Sequence, residues 1–222
     1  MAETNVVAID GPLGSGKSTV ARRVAARLGY TLLDTGAIYR SLALRAQRLG
    51  VAWDDEPAMT RLAEALELTF DPSAAGPTVM LFDDDVTAAI RTPEMAAGAS
   101  AVSRLAGVRQ ALLEVQRGFA ARGPLVAEGR DMGTVVFPQA RVKVFLDGDE
   151  QVRARRRYEE LLAAGHAITF DEVLQGARAR DAADSQRKVA PLRRADDAVL
   201  VDTTSLSIDE VVDRIVALCR GR

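Results

Sequence analysis

The segment Gly11-Pro12-Leu13-Gly14-Ser15-Gly16-Lys17-Ser18-Thr19 follows directly on the apolar run Val6-Val7-Ala8-Ile9-Asp10. The spacing G-x-x-x-x-G-K-S, with a strand-like run before it and a helical pattern after it, is the context of a phosphate-cradling loop. Its glycines let consecutive backbone N–H groups turn toward one anion. The helix that follows aims the positive end of its dipole at the same place. Lys17 is placed to reach the β- and γ-phosphates of a nucleoside triphosphate, and the Ser18 hydroxyl is a candidate Mg²⁺ ligand.

The strand, loop and helix begin a rhythm that continues along the chain. Apolar runs at Val6–Asp10, Tyr30–Asp34, Leu125–Glu128, Val142–Asp147 and Val199–Asp202 end in small or acidic residues. They are continuous rather than alternating, as strands buried on both faces are. Helical patterns separate them. Val20, Val24 and Leu28 recur every four residues and stop at Gly29, with Arg22, Arg23 and Arg27 on the other side. Asp149 is placed to cap a helix carrying Val152, Leu161 and Leu162. Thr169/Glu172 and Ser207/Glu210 have capping-box spacing. Strands alternating with helices predict an α/β fold with a five-stranded parallel sheet, right-handed crossovers and helices on both faces.

The interval from Val51 to Gly123 breaks this rhythm. A helix is expected over Pro57–Glu67. Leu66–Phe70 and Thr78–Phe82 then flank the turn-rich stretch from Asp71 to Pro77 and read as an antiparallel hairpin. Two helical stretches follow, Glu94–Arg104 and Val108–Arg122, closed by Gly123-Pro124. The interval reads as an insertion of about 51–122 in a single domain. The core takes 1–50, 123–150 and 190–222.

A net charge of −2 over 222 residues gives no footprint for nucleic acid or a membrane surface. No apolar run approaches the ~20 residues of a membrane helix. Met1–Asn5 shows no leader pattern, and the single cysteine, Cys219, suits a reducing cytoplasm. One histidine, His166 in an expected turn, and one cysteine argue against a zinc site. Trp53 and Cys219 read as packing residues, and Asp83-Asp84-Asp85 as a turn.

Two further strand ends carry polar clusters: Leu33-Asp34-Thr35-Gly36-Ala37-Ile38-Tyr39-Arg40 and Ala127-Glu128-Gly129-Arg130-Asp131-Met132-Gly133. Open α/β sheets bind ligands beyond the carboxyl ends of their strands, so both clusters are expected to share the phosphate loop's cleft. Either arginine alone is equally well explained as a surface ion pair; the two together at strand ends favour anion binding. Arg180, Asp184 and Arg187, at i, i+4 and i+7, are expected on one helix face. Arg153, Arg156 and Arg157 lie on the preceding helix. The two helices would form an arginine-bearing hairpin able to close over phosphates.

These residues together resemble the bacterial cytidylate kinase family. The resemblance lies in Ile9-Asp10-Gly11-Pro12 with the phosphate loop, the run from Leu33 to Arg40, and Gly129-Arg130-Asp131-Met132-Gly133-Thr134-Val135-Val136-Phe137-Pro138. Ile90-Arg91-Thr92, Val189-Ala190-Pro191-Leu192 and Asp202-Thr203-Thr204 add to it. It implies a P-loop nucleoside monophosphate kinase with a helical lid at about 151–189, acting on ATP and on CMP or dCMP with Mg²⁺, in the cytoplasm and as a monomer. It further implies that Gly11 to Thr19 bind ATP, and that Thr35, Tyr39 and Gly129 lie at the CMP site. Arg40 and Arg130 would hold the CMP phosphate, Ser100, Arg109 and Asp131 would read cytosine, and Arg180 and Asp184 would hold the ribose. Arg153, Arg157 and Arg187 would serve the transferring phosphates with Lys17. Asp34 or Glu128 is a candidate to orient metal-bound water. Thr35 stands where serine is common in the family, Glu128 where aspartate is, and Leu13 where a small residue is usual.

Two other functions compete with this one. A kinase for UMP or an alcohol would share the core, but the Gly129–Pro138 run and the paired arginines speak against an alcohol. A guanine-reading switch would want an N-K-x-D sequence, which the chain lacks.

Overall fold

The computed structural model describes residues 5–73 and 76–221. Residues 1–4, on which the reading of the N-terminus partly rests, and Ala74-Ala75 in the expected hairpin turn lie outside the described residues. In chain order, β1 (Val6–Asp10), α1 (Lys17–Leu28) and β2 (Thr31–Asp34) come first, then α2 (Thr35–Arg48) and α3 (Glu56–Glu64). Next are β3 (Leu68–Ser73), β4 (Gly76–Leu81), β5 (Asp84–Asp85), α4 (Pro93–Val102) and α5 (Ala106–Ala120). β6 (Leu125–Gly129), β7 (Val142–Asp147), α6 (Glu150–Ala163), α7 (Phe170–Ser185), β8 (Val199–Asp202) and α8 (Ile208–Arg220) complete the chain. Residues Met1–Leu32 with Arg122–Arg222 form one compact unit, and Leu33–Ala121 a second.

The large sheet has the order β2-β6-β1-β7-β8. β1 pairs in parallel with both β6 and β7, and β7 with β8. Every residue of β1 and β6 is buried, as continuous apolar runs predict for central strands. The edge strands β2 and β8 depart from that expectation, because each has a neighbour on one side only. Thr31 is exposed, and so is Leu200, at 49%. Val7, Ile9, Val126, Val144, Leu146 and Val201 form one core with Val20 and Val24 of α1 and Val211, Val212, Ile215 and Cys219 of α8. On the outer side of these helices Arg23 and Arg27 pair with Asp209 and Asp213 in solvent, where ion pairs add little.

Helix starts follow the expected chemistry. Asp149 caps α6, and both capping boxes, Thr169/Glu172 on α7 and Ser207/Glu210 on α8, are formed. α7 nevertheless ends at Ser185, so Arg187 lies beyond its last turn rather than on the expected helical face.

In the second unit α2 packs on α4, and α3 on α5. α2 belongs to this unit, although the sequence places residues up to 50 with the core; its Ala43 lies against Gly98 of α4. Trp53 packs there too and donates its indole N–H to the Ala43 carbonyl at 3.0 Å. The expected hairpin becomes a three-stranded antiparallel sheet, β3-β4-β5. Asp84-Asp85 is its edge strand, not part of a plain turn. Phe82 adopts a left-handed φ of 53°, and the chain turns back so that Asp84 pairs with Leu81. Charged residues suit an exposed edge, and they hid this strand from hydropathy patterning.

Leu146 is fully buried in the first unit's core. Leu146→Ala is expected to cost about 2–5 kcal/mol in urea unfolding. Leu200→Ala, at the exposed edge, should stay within about 0.5 kcal/mol.

Candidate functional site

Strand register builds the site in the first unit. Asp10, the last residue of β1, stands opposite Gly129 on one side and Phe145 on the other. The phosphate loop and the Arg130-Asp131 turn therefore leave the sheet side by side. The loop is drawn tightly against the β7 end. A Cβ on Gly11, whose φ is +155°, would stand 2.1 Å from the Leu146 carbonyl oxygen, so only glycine fits. Gly16 is the N-cap of α1 and offers no side-chain cap, and no acid occupies the first turn. The first N–H groups of α1 are thus left for an anion. Ser18 is exposed on that turn. Lys17 is buried, and its ammonium donates to the Pro12 carbonyl at 2.6 Å and to Ser15 Oγ at 3.4 Å.

Charges crowd around Lys17. Burial first, then Arg130 and Arg180, push it down to about 7, against the pull of Glu128 and Asp181. Such a gathering of cations in a desolvated place attracts a polyanion strongly.

Asp10 ties the two loops together. Its Oδ1 accepts the Met132 N–H and its Oδ2 the Gly133 N–H, each at 2.8 Å. These donors open a π-helical turn, Met132–Val136, of the kind found at functional sites. Lys143 supports the same run from below, donating to the Pro138 carbonyl at 2.6 Å and pairing with Asp197. Arg130 donates from Nε to Asp184 at 2.9 Å in a largely shielded pair, and Asp131 is buried beside it. The Asp184 carbonyl in turn accepts from Leu192 N–H at 2.8 Å and from Arg187 Nε at 3.3 Å.

The arginines of α6 are divided among separate tasks. Arg153 is buried and donates to Gly148, Leu13 and Asp181. Arg155 stacks on Phe170 at 4.2 Å, joining α6 to α7. Arg156 grips Thr203 through its hydroxyl and carbonyl. Arg157 makes a surface pair with Glu160 at 3.0 Å.

The second unit carries its own polar cluster. Asp34 caps α2 by accepting the Ala37 N–H at 2.9 Å, and its other oxygen pairs with Arg40 at 2.9 Å. Gly36 makes room for this pair, since a Cβ there would meet Arg40 Nη1 at 2.8 Å. Arg40 Nε is buried with no hydrogen-bond partner among the described residues. Thr35 is buried at the start of α2. Arg109, also buried, lies over the Tyr39 ring at 5.8 Å and donates to the Ser103 carbonyl at 3.4 Å. The Ser103 hydroxyl donates to Ser100 O at 3.1 Å, so Ser100 and Arg109 meet at one residue.

Within the first unit, then, Lys17, Arg130, Asp131, Arg153, Arg180 and Asp184 gather near the phosphate loop, Arg187 joins them through the Asp184 carbonyl, and Arg157 stays at the surface. Thr35, Tyr39, Arg40, Ser100 and Arg109 belong to the second. Sequence reasoning missed Asp10, Asp181 and Thr203 as organising residues. Asp10 carried one available signal, a carboxylate ending a fully apolar strand immediately before the loop.

Residues 7–221 match the cytidylate kinase family. A cytidylate kinase from Geobacter sulfurreducens is 48% identical over 217 residues, covering 98% of this chain and 93% of that protein. One from Neisseria meningitidis is 48% identical over 216 residues, covering 97% of each. Among solved structures, a protein from Eubacterium ventriosum shares the fold, with TM-score 0.54 at 13% identity over 99% of both chains.

Burial, with Asp131 adding to it, pushes Asp10 up to about 7, against its two N–H bonds and Lys17. A carboxyl with a raised native pKa adds stability below its ordinary range, near 3.8, and loses it as pH rises through 7. The stability difference between wild type and Asp10→Asn is expected to fall from pH 4 to pH 7 in chemical denaturation. A difference that grows with pH would show the ionised form to be the favoured native one.

Proposed function

The chain belongs to the cytidylate kinase family, and from that premise we propose that it transfers the γ-phosphoryl group of Mg-ATP to CMP or dCMP, giving ADP and CDP or dCDP. The observation that carries this reading is the pairing of Asp10 with Gly129. It sets a phosphate loop with free helical N–H groups beside the buried Asp131 and the largely shielded Arg130–Asp184 pair.

The reaction forms a bond between a CMP phosphate oxygen and the γ-phosphorus and breaks the bond from that phosphorus to the β–γ bridging oxygen. The acceptor phosphate is mostly dianionic near neutral pH, so no strong base is needed. The difficulty is bringing two polyanions together in line. Gly11 to Thr19 cradle the ATP phosphates, and Lys17 neutralises the β and γ groups. Arg153, Arg157 and Arg187 serve the transferring group from the lid region. Arg40 and Arg130 hold the CMP phosphate, and the orphaned Arg40 Nε supports this for Arg40. Thr35, Tyr39 and Gly129 line the CMP site, and Arg180 and Asp184 take the ribose.

Among the described residues no group of three or more His, Cys, Asp or Glu side chains is arranged to hold a metal ion. A Mg²⁺ carried in on the nucleotide phosphates would take the exposed Ser18 hydroxyl as the protein's ligand, and Asp34 or Glu128 would orient its water. The ion would supply charge neutralisation on the β- and γ-oxygens.

Base choice follows from donor pattern. Cytosine presents an N4 amino donor that a carboxylate accepts, and uracil presents a carbonyl there. Asp131, with Ser100 and Arg109, reads this edge. No helix among the described residues is long and apolar enough to cross a membrane. We place the enzyme in the cytoplasm as a monomer. Residues 1–50, 123–150 and 190–222 act as its core, about 51–122 as its monophosphate-binding part and about 151–189 as its lid.

The test is ADP release from Mg-ATP with CMP, dCMP, UMP, AMP and GMP offered separately. Release with CMP and dCMP alone is expected, and no acceptor-dependent release would overturn the reading. Asp131→Ala should cut the CMP-over-UMP preference by about tenfold, in line with roughly 1–3 kcal/mol for a good bidentate base contact. An unchanged preference removes Asp131 from base reading.

A further inference from the structure

Asp181 has no part in the chemistry described above, yet it touches the phosphate loop. It lies on α7, three residues before Asp184. Its Oδ1 accepts the Leu13 N–H at 2.9 Å, and its Oδ2 accepts Arg153 Nη1 at 2.7 Å. The same Nη1 donates to the Leu13 carbonyl at 2.6 Å. One ion pair therefore binds both backbone polar groups of Leu13. Its side chains are only 9% and 18% exposed, so the charge-assisted bonds are shielded from water. Arg153 is itself anchored, donating from Nε to the Gly148 carbonyl at 3.0 Å. The next loop residue, Gly14, rests on the Arg153 backbone so closely that a Cβ would stand 2.4 Å from its carbonyl oxygen.

We propose that Asp181 is a positioning residue for the ATP side of the reaction: through Leu13 and Arg153 it holds the phosphate loop in its nucleotide-receiving shape. The inference rests on the kinase reading. A loop with left-handed glycines at 14 and 16 has wide conformational freedom when nothing pins it. Freedom lost on binding appears as lost affinity, and a loop already fixed avoids that loss. Leu13 stands between Pro12, whose ring fixes its φ, and the freely turning Gly14, so clamping its peptide groups restrains the loop where its freedom begins. α7 then serves two loops with two acids: Asp181 holds the phosphate loop, and Asp184 holds Arg130.

The experiment compares wild type, Asp181→Ala and Asp181→Asn. Mg-ATP affinity is measured by calorimetry, and steady-state kinetics are run with ATP and CMP varied in turn. Asp181→Ala is expected to raise the ATP Kd and KM about tenfold, the scale of a lost charge-assisted bond. The CMP KM should stay within about twofold and kcat within about threefold, because ground-state binding is what is lost. Asp181→Asn keeps an oxygen for the Leu13 N–H and should recover part of the ATP affinity. Arg153→Ala should cost less ATP affinity in the Asp181→Ala background than in wild type, as coupled partners do. An unchanged ATP Kd in both folded Asp181 variants would overturn the proposal. So would a fall in kcat with both KM values unchanged, which would mean only a smaller active fraction. If wild type releases no ADP with CMP, the kinase reading fails, and the calorimetric comparison still decides the role of Asp181.

Discussion

The parallel pairing of β1 between β6 and β7 is the constraint on which the rest depends. It places the end of β1 beside the end of β6, so that Asp10 and Gly129 stand abreast, and sets Phe145 level with them two residues before β7 ends. From that row the chain must leave in three loops at close quarters. Gly11 is pressed against the β7 backbone, and Asp10 reaches across to the β6 loop. A slip of one residue in either pairing would separate the Asp10 carboxylate from its donors and push Gly11 off the Leu146 carbonyl.

The same row explains why so much charge is buried there. Lys17, Arg153, Glu128, Asp131 and Asp184 are all buried around these loops. Burying charges costs several kcal/mol each unless partners compensate. Here compensation is partial, which is why burial and neighbouring arginines pull Lys17 down from its ordinary value. A site tuned to receive a polyanion is strained without one, and the core beneath, from Val7 to Ile215, supplies the stability that tolerates this.

The sheet was legible because its signals are local. All five strands of the large sheet lie within one residue of their apolar runs, two helix caps follow from two residues at fixed spacing, and a third follows from Asp149 alone. The phosphate loop is equally local. Asp84-Asp85 was hidden because an exposed edge strand has no apolar pattern to show. Arg187 was placed on a helix that stops two residues earlier, since polar residues carry the face past Ser185 without a clear stop. The tasks of Arg153, Arg155 and Arg156 were not legible, because three arginines of one helix differ only in what lies opposite them in space. Asp181 is the extreme case: its loop partner, Leu13, is 168 residues away in sequence.

α7 is held near its C-terminal end by Asp181 and Asp184, while its first turn, closed by the Thr169/Glu172 capping box, is joined only to α6 in the contacts described, with Phe170 under Arg155 and edge-on to Tyr158. Its 16 residues make a rod about 24 Å long. Tied to α6 and anchored beside it through Arg153, it forms a hairpin fastened at its base, and such a hairpin is a lever. A tilt of roughly 10° about the fastened end would carry the far tip about 4 Å at this length, while the carboxylates at the pivot would move by only a fraction of that. Small adjustments at the two loops are therefore written large at the outer corner where α6 turns into α7.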